Sequence, residues 1–116
     1  MEIITLANDI GQLVSKGVVI ANAEDGADLV GNTYFQGLTK LIISEEQLTP
    51  SFFDLSTKLA GEMLQKFSNY RIRLAIVGDF EKFKSNSLKD FIFESNKVGQ
   101  INFVNSIAEA INALNR

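Results

Sequence analysis

Two short runs of the chain are apolar without alternation. They are Leu41–Ile43 and Ile72–Val77, the second interrupted only by Arg73. Runs this short, apolar on both faces, predict buried central strands. Between them Leu55, Leu59, Met63 and Phe67 recur every four residues, and Phe52, Ala60 and Leu64 widen the stripe. Lys58, Glu62, Gln65 and Lys66 lie largely off it. That pattern predicts a long amphipathic helix lying on a sheet. Its start has two readings. Either Thr49 caps it with Pro50 at the first helical position, or Asp54 is the cap and Pro50–Phe53 form a turn. Asn69 and Tyr70 end it.

The flanks extend this strand–helix–strand unit in both directions. Ile3, Ile4 and Leu6 predict a first strand, and Asn8, Asp9 and Gly11 supply turn chemistry after it. The second strand is either Gln12–Val14 or Val18–Ile20, and the first two strands are expected to pair antiparallel at one end of the sheet. Asn22, Glu24 and Asp25 suit a helix start, and Leu29, Val30, Thr33 and Tyr34 continue it to about Gln36, with Gly37 as terminator. Gly26 and Gly31 each cost that helix about 1 kcal/mol relative to alanine. They imply close packing or approach of a ligand or partner. After Asp79, Phe80 and Phe83 are expected in the core beneath a loop. Ser87, with Asp90 three positions on, predicts a helix cap, and Leu88, Phe91 and Ile92 its apolar face. Phe91 and Phe93 lie about 200° apart on a helix, so Phe93 is expected to be exposed. Ile101–Val104 reads as a last strand. Ser106-Ile-Ala-Glu109 is a capping box for a helix whose apolar face is Ile107, Ala110, Ile111 and Leu114.

The order is β-β-α-β-α-β-α-β-α: one α/β domain over residues 1–116, with a mixed five-stranded sheet, a largely parallel interior and about four helices. Composition narrows what such a domain does. The 116 residues contain no cysteine and no histidine. Disulfides, thiol chemistry, histidine bases and Cys/His zinc sites are therefore excluded, and a cytoplasmic location is expected. No apolar run reaches the roughly 20 residues of a membrane helix. The net charge of −3 gives no electrostatic gain on nucleic acid, and Lys82, Lys84 and Lys89 lie among acidic residues as a mixed solvated face. No G-x-G-x-x-G loop is present, so no cofactor is expected and no residue is assigned a catalytic role.

From Thr39 to Leu114 the chain resembles the STAS domains of sulfate transporters and anti-sigma-factor antagonists. The residues carrying this are Phe53-Asp54-Leu55-Ser56-Thr57-Lys58-Leu59-Ala60-Gly61, the strand end LAIVG, and the helix start at Ser106–Ile111. Lys58 stands where that family usually has a glycine. The runs FFDLSTKLAGEMLQKFSNYRIRLAIVGDF and SLKDFIFESN resemble, more specifically and over nearly the whole chain, the uncharacterised bacterial family called domain of unknown function 4180. The STAS resemblance implies a regulatory module that binds a protein partner under Ser/Thr phosphorylation at the start of the long helix.

Asp54, Ser56, Thr57 and Lys58 are accordingly the candidate partner-binding and phosphorylation residues. A phosphate there would meet free N–H groups and the positive helix end, provided the helix begins near Leu55. Glu45, Glu46 and Asp79, at strand carboxyl ends, are candidates for a small ligand such as a nucleotide or lipid, or for Mg²⁺ and metal-assisted catalysis. The leading expectation is a non-enzymatic module with a protein partner. Exposed Phe93 is a candidate surface for a homodimer or another partner.

Overall fold

The computed structural model describes residues 2–116. Five strands form one sheet in chain order: β1 (Glu2–Ala7), β2 (Ile10–Val14), β3 (Lys40–Ser44), β4 (Arg73–Val77) and β5 (Ile101–Val104). β1 and β2 pair antiparallel, and β2 through β5 are parallel. The sheet is therefore mixed, with the antiparallel pair at one end as expected. The four helices are α1 (Ala23–Phe35), α2 (Leu59–Asn69), α3 (Asn86–Val98) and α4 (Ile107–Leu114).

Three helices share one face. Leu29 of α1, Met63 and Phe67 of α2 and Leu88 of α3 cluster with Leu41, Ile43, Leu74, Ile76 and Phe103. On the other face α4 alone presses Ala110 and Leu114 onto Ile10, Ile42 and Ala75. β3 and β4 lie inside the sheet with both faces covered, which is why Leu41–Ile43 and Leu74–Val77 are apolar without alternation. Arg73 opens β4, and its guanidinium reaches the carbonyls at the end of α4. Burial on α4 is shifted from the expected stripe. Ala113 is buried, whereas Ile107 at the first turn is exposed.

The second strand is Ile10–Val14, so Gln12–Val14 is the strand and Val18–Ile20 is not. Ile20 is buried but makes only an isolated parallel bridge to Leu48. Asp9 holds the turn between β1 and β2 against β3: its carbonyl accepts the N–H groups of Thr39 and Lys40, and its carboxylate accepts the Thr39 hydroxyl. That hydroxyl above all, and Lys40 in smaller part, lowers the Asp9 carboxyl below its ordinary range.

Asn22 caps α1 by accepting the Asp25 N–H, and Gly37 follows its end at φ 76°. Gly26 is required by packing, because a Cβ there would lie 2.7 Å from Met63 Cγ of α2. Gly31 has open space around it. The cap of α3 is Ser85, which accepts the Leu88 N–H, and not Ser87. Phe91 packs edge-on to Phe103 with ring centres 6.1 Å apart, while Phe93 is exposed with Lys97 over its ring. Among the described residues no helix is long and apolar enough to cross a membrane.

Candidate functional site

The segment between β3 and α2 carries most of the candidate residues, and it follows neither predicted helix start. It forms three short 3-10 turns, Glu45–Gln47, Pro50–Phe53 and Leu55–Thr57, and α2 begins only at Leu59. Each turn has a local cause. Ser44 and Gln47 form a capping box, and the buried Gln47 amide also donates to the Leu13 carbonyl and the Ser15 hydroxyl of the β2 end. Pro50 sits at the first position of the second turn, which drives Phe52 and Phe53 into the core. Asp54 then stops that turn. Its Oδ1 accepts the Ser56 N–H at 3.0 Å and the Ser56 hydroxyl at 2.6 Å, the local side-chain-to-backbone competition that disfavours a continuous helix.

Thr57 closes the loop. Its hydroxyl lies 2.8 Å from both the Ser51 and Asp54 carbonyl oxygens and accepts the Leu59 N–H at 3.3 Å. Lys58 takes the left-handed backbone, φ 65°, and turns the chain into α2. A non-glycine residue is uncommon there. It is the position to which the STAS resemblance assigns a glycine. Asp54, Ser56, Thr57 and Lys58 are all exposed and thus form one ordered polar surface. The physical argument for Ser56 changes accordingly. It is not inside α2 or at its first residue, but in the turn just before it.

The Ser56 hydroxyl, and next the Ser56 N–H, hold the Asp54 carboxyl below the usual carboxylate range. A lowered folded-state pKa means that the turn contributes fully above the ordinary value of about 3.9 and loses its contribution as pH falls through the folded value. A carbon-detected NMR titration should therefore place the Asp54 midpoint below that ordinary value, and Ser56→Ala should move it back upward. A midpoint at or above the ordinary value in the native chain contradicts the bonded turn.

Below the loop lies an aromatic stack. Phe53 packs edge-on to Phe52 at 5.0 Å and stacks on Phe83 at 4.8 Å, and Phe80 meets Phe103 of β5 at 5.2 Å. The expectation that Phe80 and Phe83 lie beneath a loop was the only signal of it.

The acidic candidates occupy a different place. Glu45, Glu46 and Asp79 line one cleft of about 570 Å³ at the carboxyl ends of β3 and β4, together with Glu81 and Asn105. Glu45 is committed within it. It accepts the Asp79 N–H at 3.0 Å, pairs with Lys82 at 2.8 Å, and lies so close to Gly78 that a Cβ there would be 2.8 Å from Glu45 Cγ. Asp79 accepts the Glu81 N–H and Glu46 is exposed. Among the described residues no three acidic groups are arranged to hold a metal ion. Glu45, one of the ligand or metal candidates, is held in an ion pair with Lys82 and in a cap on the Asp79 N–H. Gly78 and Lys82 set this arrangement from 33 and 37 residues downstream, beyond the reach of local patterning.

These features define a small α/β domain with a mixed sheet, three helices on one face and one on the other, and an exposed polar loop ahead of its second helix. The chain belongs to the family described as Domain of unknown function (DUF4180), whose model matches residues 7–114. No curated protein matches it in sequence.

Proposed function

We propose that this domain is a non-enzymatic binding module that recognises a protein partner through Asp54, Ser56, Thr57 and Lys58, and that phosphorylation of Ser56 switches the recognition. The observation carrying this reading is the order of an exposed polar loop: four polar side chains are presented to solvent on a turn pinned by buried Phe52 and Phe53. A loop already held in one shape loses less conformational freedom on binding than a mobile one.

The same hydrogen bond supplies the switch. The Ser56 hydroxyl is the donor to Asp54. A protein kinase would transfer the γ-phosphoryl group of a nucleoside triphosphate to Ser56 Oγ: the Oγ–P bond forms as the bond from the γ-phosphorus to the bridging oxygen breaks, the nucleoside diphosphate leaves, and the hydroxyl proton passes to the kinase's general base. The donor would then become a dianion beside a carboxylate, and the two would repel. The turn would open on the Asp54 side, and the surface offered to the partner would change. The test compares affinity captures with the tagged native chain, Ser56→Ala and Ser56→Asp. A partner retained by the native chain and by Ser56→Ala should be lost with Ser56→Asp and with Lys58→Glu. Identical capture by all four chains removes the reading.

A further inference from the structure

The two faces of the sheet are covered unequally. Three helices close one face, whereas α4 is the helix on the other and packs on β4 and β5, with a lesser contact to β3. Ile10, at the start of β2, clusters with Ala110 and Leu114 of α4. Further along β2, Gln12 and Val14 point to the same side as Ile10, and Ile4 and Glu2 stand opposite them on β1. Ile4 and Val14 are exposed. A hollow of about 230 Å³, lined by Gln12, Val14, Ile42 and Ser44, opens between β2 and Ile107 of α4.

The outer side of α4 is bare as well. Of Ile107–Leu114 only Glu109 is charged, and a helix apolar nearly all round is ordinarily covered all round. Ala110, Ala113 and Leu114 are its buried side, against the sheet. At 100° per residue Ile107 and Ile111 then share the flank toward β2, Ala108 and Asn112 point away from the sheet, and Glu109 lies on the far flank. The face therefore carries a ridge with a trough beside it. Two strand spacings, about 9.6 Å, separate β4 from β2, which matches the 8–10 Å between the axes of packed helices. The trough is one helix wide.

We propose that this face is a two-fold interface with a second copy of this chain, in which each α4 fills the other copy's trough. A two-fold axis parallel to the strands, between α4 and β2, turns ridge onto trough in both directions at once, as an isologous contact must. One operation thus covers Ile4, Val14 and the outer side of both helices. Ile107 and Ile111 of the two copies flank the axis, and Ala108 and Asn112 lie over the second copy's Gln12 and Val14. Charge supports this occupant. The chain carries a net charge of −3, yet the middle of this face has no charged side chain, so two copies meet here without burying one. An axis along the strands keeps each residue at its level. Arg116, whose carbonyl bonds Arg73 at the start of β4, comes level with the opposite charge of the second copy's Asp9, which bonds Lys40 at the start of β3. At the other end Glu109 turns toward the second copy's β1, where Glu2 is a like charge. The two α4 helices run parallel, and Arg73 offsets the negative end of each. A face about 20 Å wide and 17 Å long keeps the contact below the roughly 800 Å² per partner of a standard interface, so the dimer is weak and reversible.

Sedimentation equilibrium of the full chain over a concentration series tests this. A reversible dimer is expected. Ile107→Glu brings two carboxylates to the axis and Val14→Lys puts an ammonium in the trough, and each should weaken the dimer about tenfold or more. Both residues are exposed, so the melting curve of each variant at low concentration should match the native one. Glu2→Lys replaces the like charge facing Glu109 with an opposite one and should tighten the dimer. Phe93→Ser, at an exposed position of α3 across the sheet, should leave it unchanged. A chain monomeric at every concentration, a dimer insensitive to both Ile107→Glu and Val14→Lys, or one weakened by Glu2→Lys or by Phe93→Ser would overturn the proposal.

Discussion

Replacing Arg73 with alanine should destabilise the domain by about 3 kcal/mol, more than any other substitution of a charged residue here, and lower its Tm by roughly 10 °C. Arg73 is the sole charge in the most apolar strand, and its guanidinium explains why. Nε and Nη2 both donate to the Gly99 carbonyl, at 3.1 and 2.9 Å. Nη1 donates to Leu114 and Arg116, and Nη2 to Ala113, at 2.9 to 3.0 Å. One side chain thus caps the C-terminal end of α4 and ties down the glycine that ends α3, both places where helices leave carbonyls unpaired. The bonds are charge-assisted, and the cation lies at the negative end of the α4 dipole. Water can reach some of the freed carbonyls, so the five bonds do not add, and the net loss is that of roughly one to two strong ones. Arg73→Lys keeps the charge without the planar fork and should lose about half as much. Because α4 alone covers the face formed by Ile10, Ile42 and Ala75, the damage should be local first. In hydrogen exchange, the α4 amides of Arg73→Ala should lose protection before those of β3 and β4. Denaturant unfolding within about 0.5 kcal/mol of the native chain would show that the cap contributes nothing net.

What was legible in the chain follows from which forces are local. Leu41–Ile43 and Ile72–Val77 identified the two central strands because a strand covered on both faces has no reason to alternate. Capping chemistry identified α1 and α4 because Asn22 and Ser106 act on N–H groups three residues away. The start of α2 escaped for an instructive reason. Leu55 lies four residues before Leu59 and in phase with the stripe, so periodicity runs straight through a loop. The residues that break the helix do so by hydrogen bonds within the loop: Asp54 to Ser56, and Thr57 to Ser51. Asp54 as a cap was half of the answer, for it does cap a turn, but of 3-10 type and ending at Lys58. Ser85 and Ser87 are equally good caps by type, and only the helix direction set by the buried Leu88 decides between them. Ser44-Glu-Glu-Gln47 carried the capping-box spacing in plain view and could have placed the first turn.

The candidate sites divide along the same line. Ser56, Thr57 and Asp54 were brought together because they are neighbours in sequence. Glu45, Glu46 and Asp79 do share a cleft, since strand carboxyl ends in a parallel sheet meet at one rim. The role of Glu45 was not legible, because Lys82 and Gly78 reach it only after β4 pairs with β3.

Phe53→Ala should cost about 4 kcal/mol and should disable the loop even in the fraction of molecules that remains folded. Phe53 is the residue through which the Asp54–Lys58 turn is anchored. Its ring is buried against Phe52 on one side and stacked on Phe83 on the other, with Phe80 at 6.0 Å continuing the contact toward β5. Truncation removes the apolar burial, leaves a cavity that the 3-10 turns cannot close, and forfeits aromatic pair contacts worth about 0.5–1.5 kcal/mol each. Phe53→Leu preserves most of the volume and should cost under about 1.5 kcal/mol. The two variants separate anchoring from general stability. In amide NMR spectra at low temperature, Phe53→Ala should shift the Ser56 and Thr57 signals toward unstructured positions while β3 and β4 signals remain in place. Phe53→Leu should leave Ser56 close to its native position. The Asp54 carboxyl should follow, its midpoint rising toward the ordinary range in the alanine variant as Ser56 withdraws its two hydrogen bonds. A native Ser56 environment in Phe53→Ala would mean that the loop is held by its own hydrogen bonds alone. The aromatic stack would then be core packing with no part in presenting the surface.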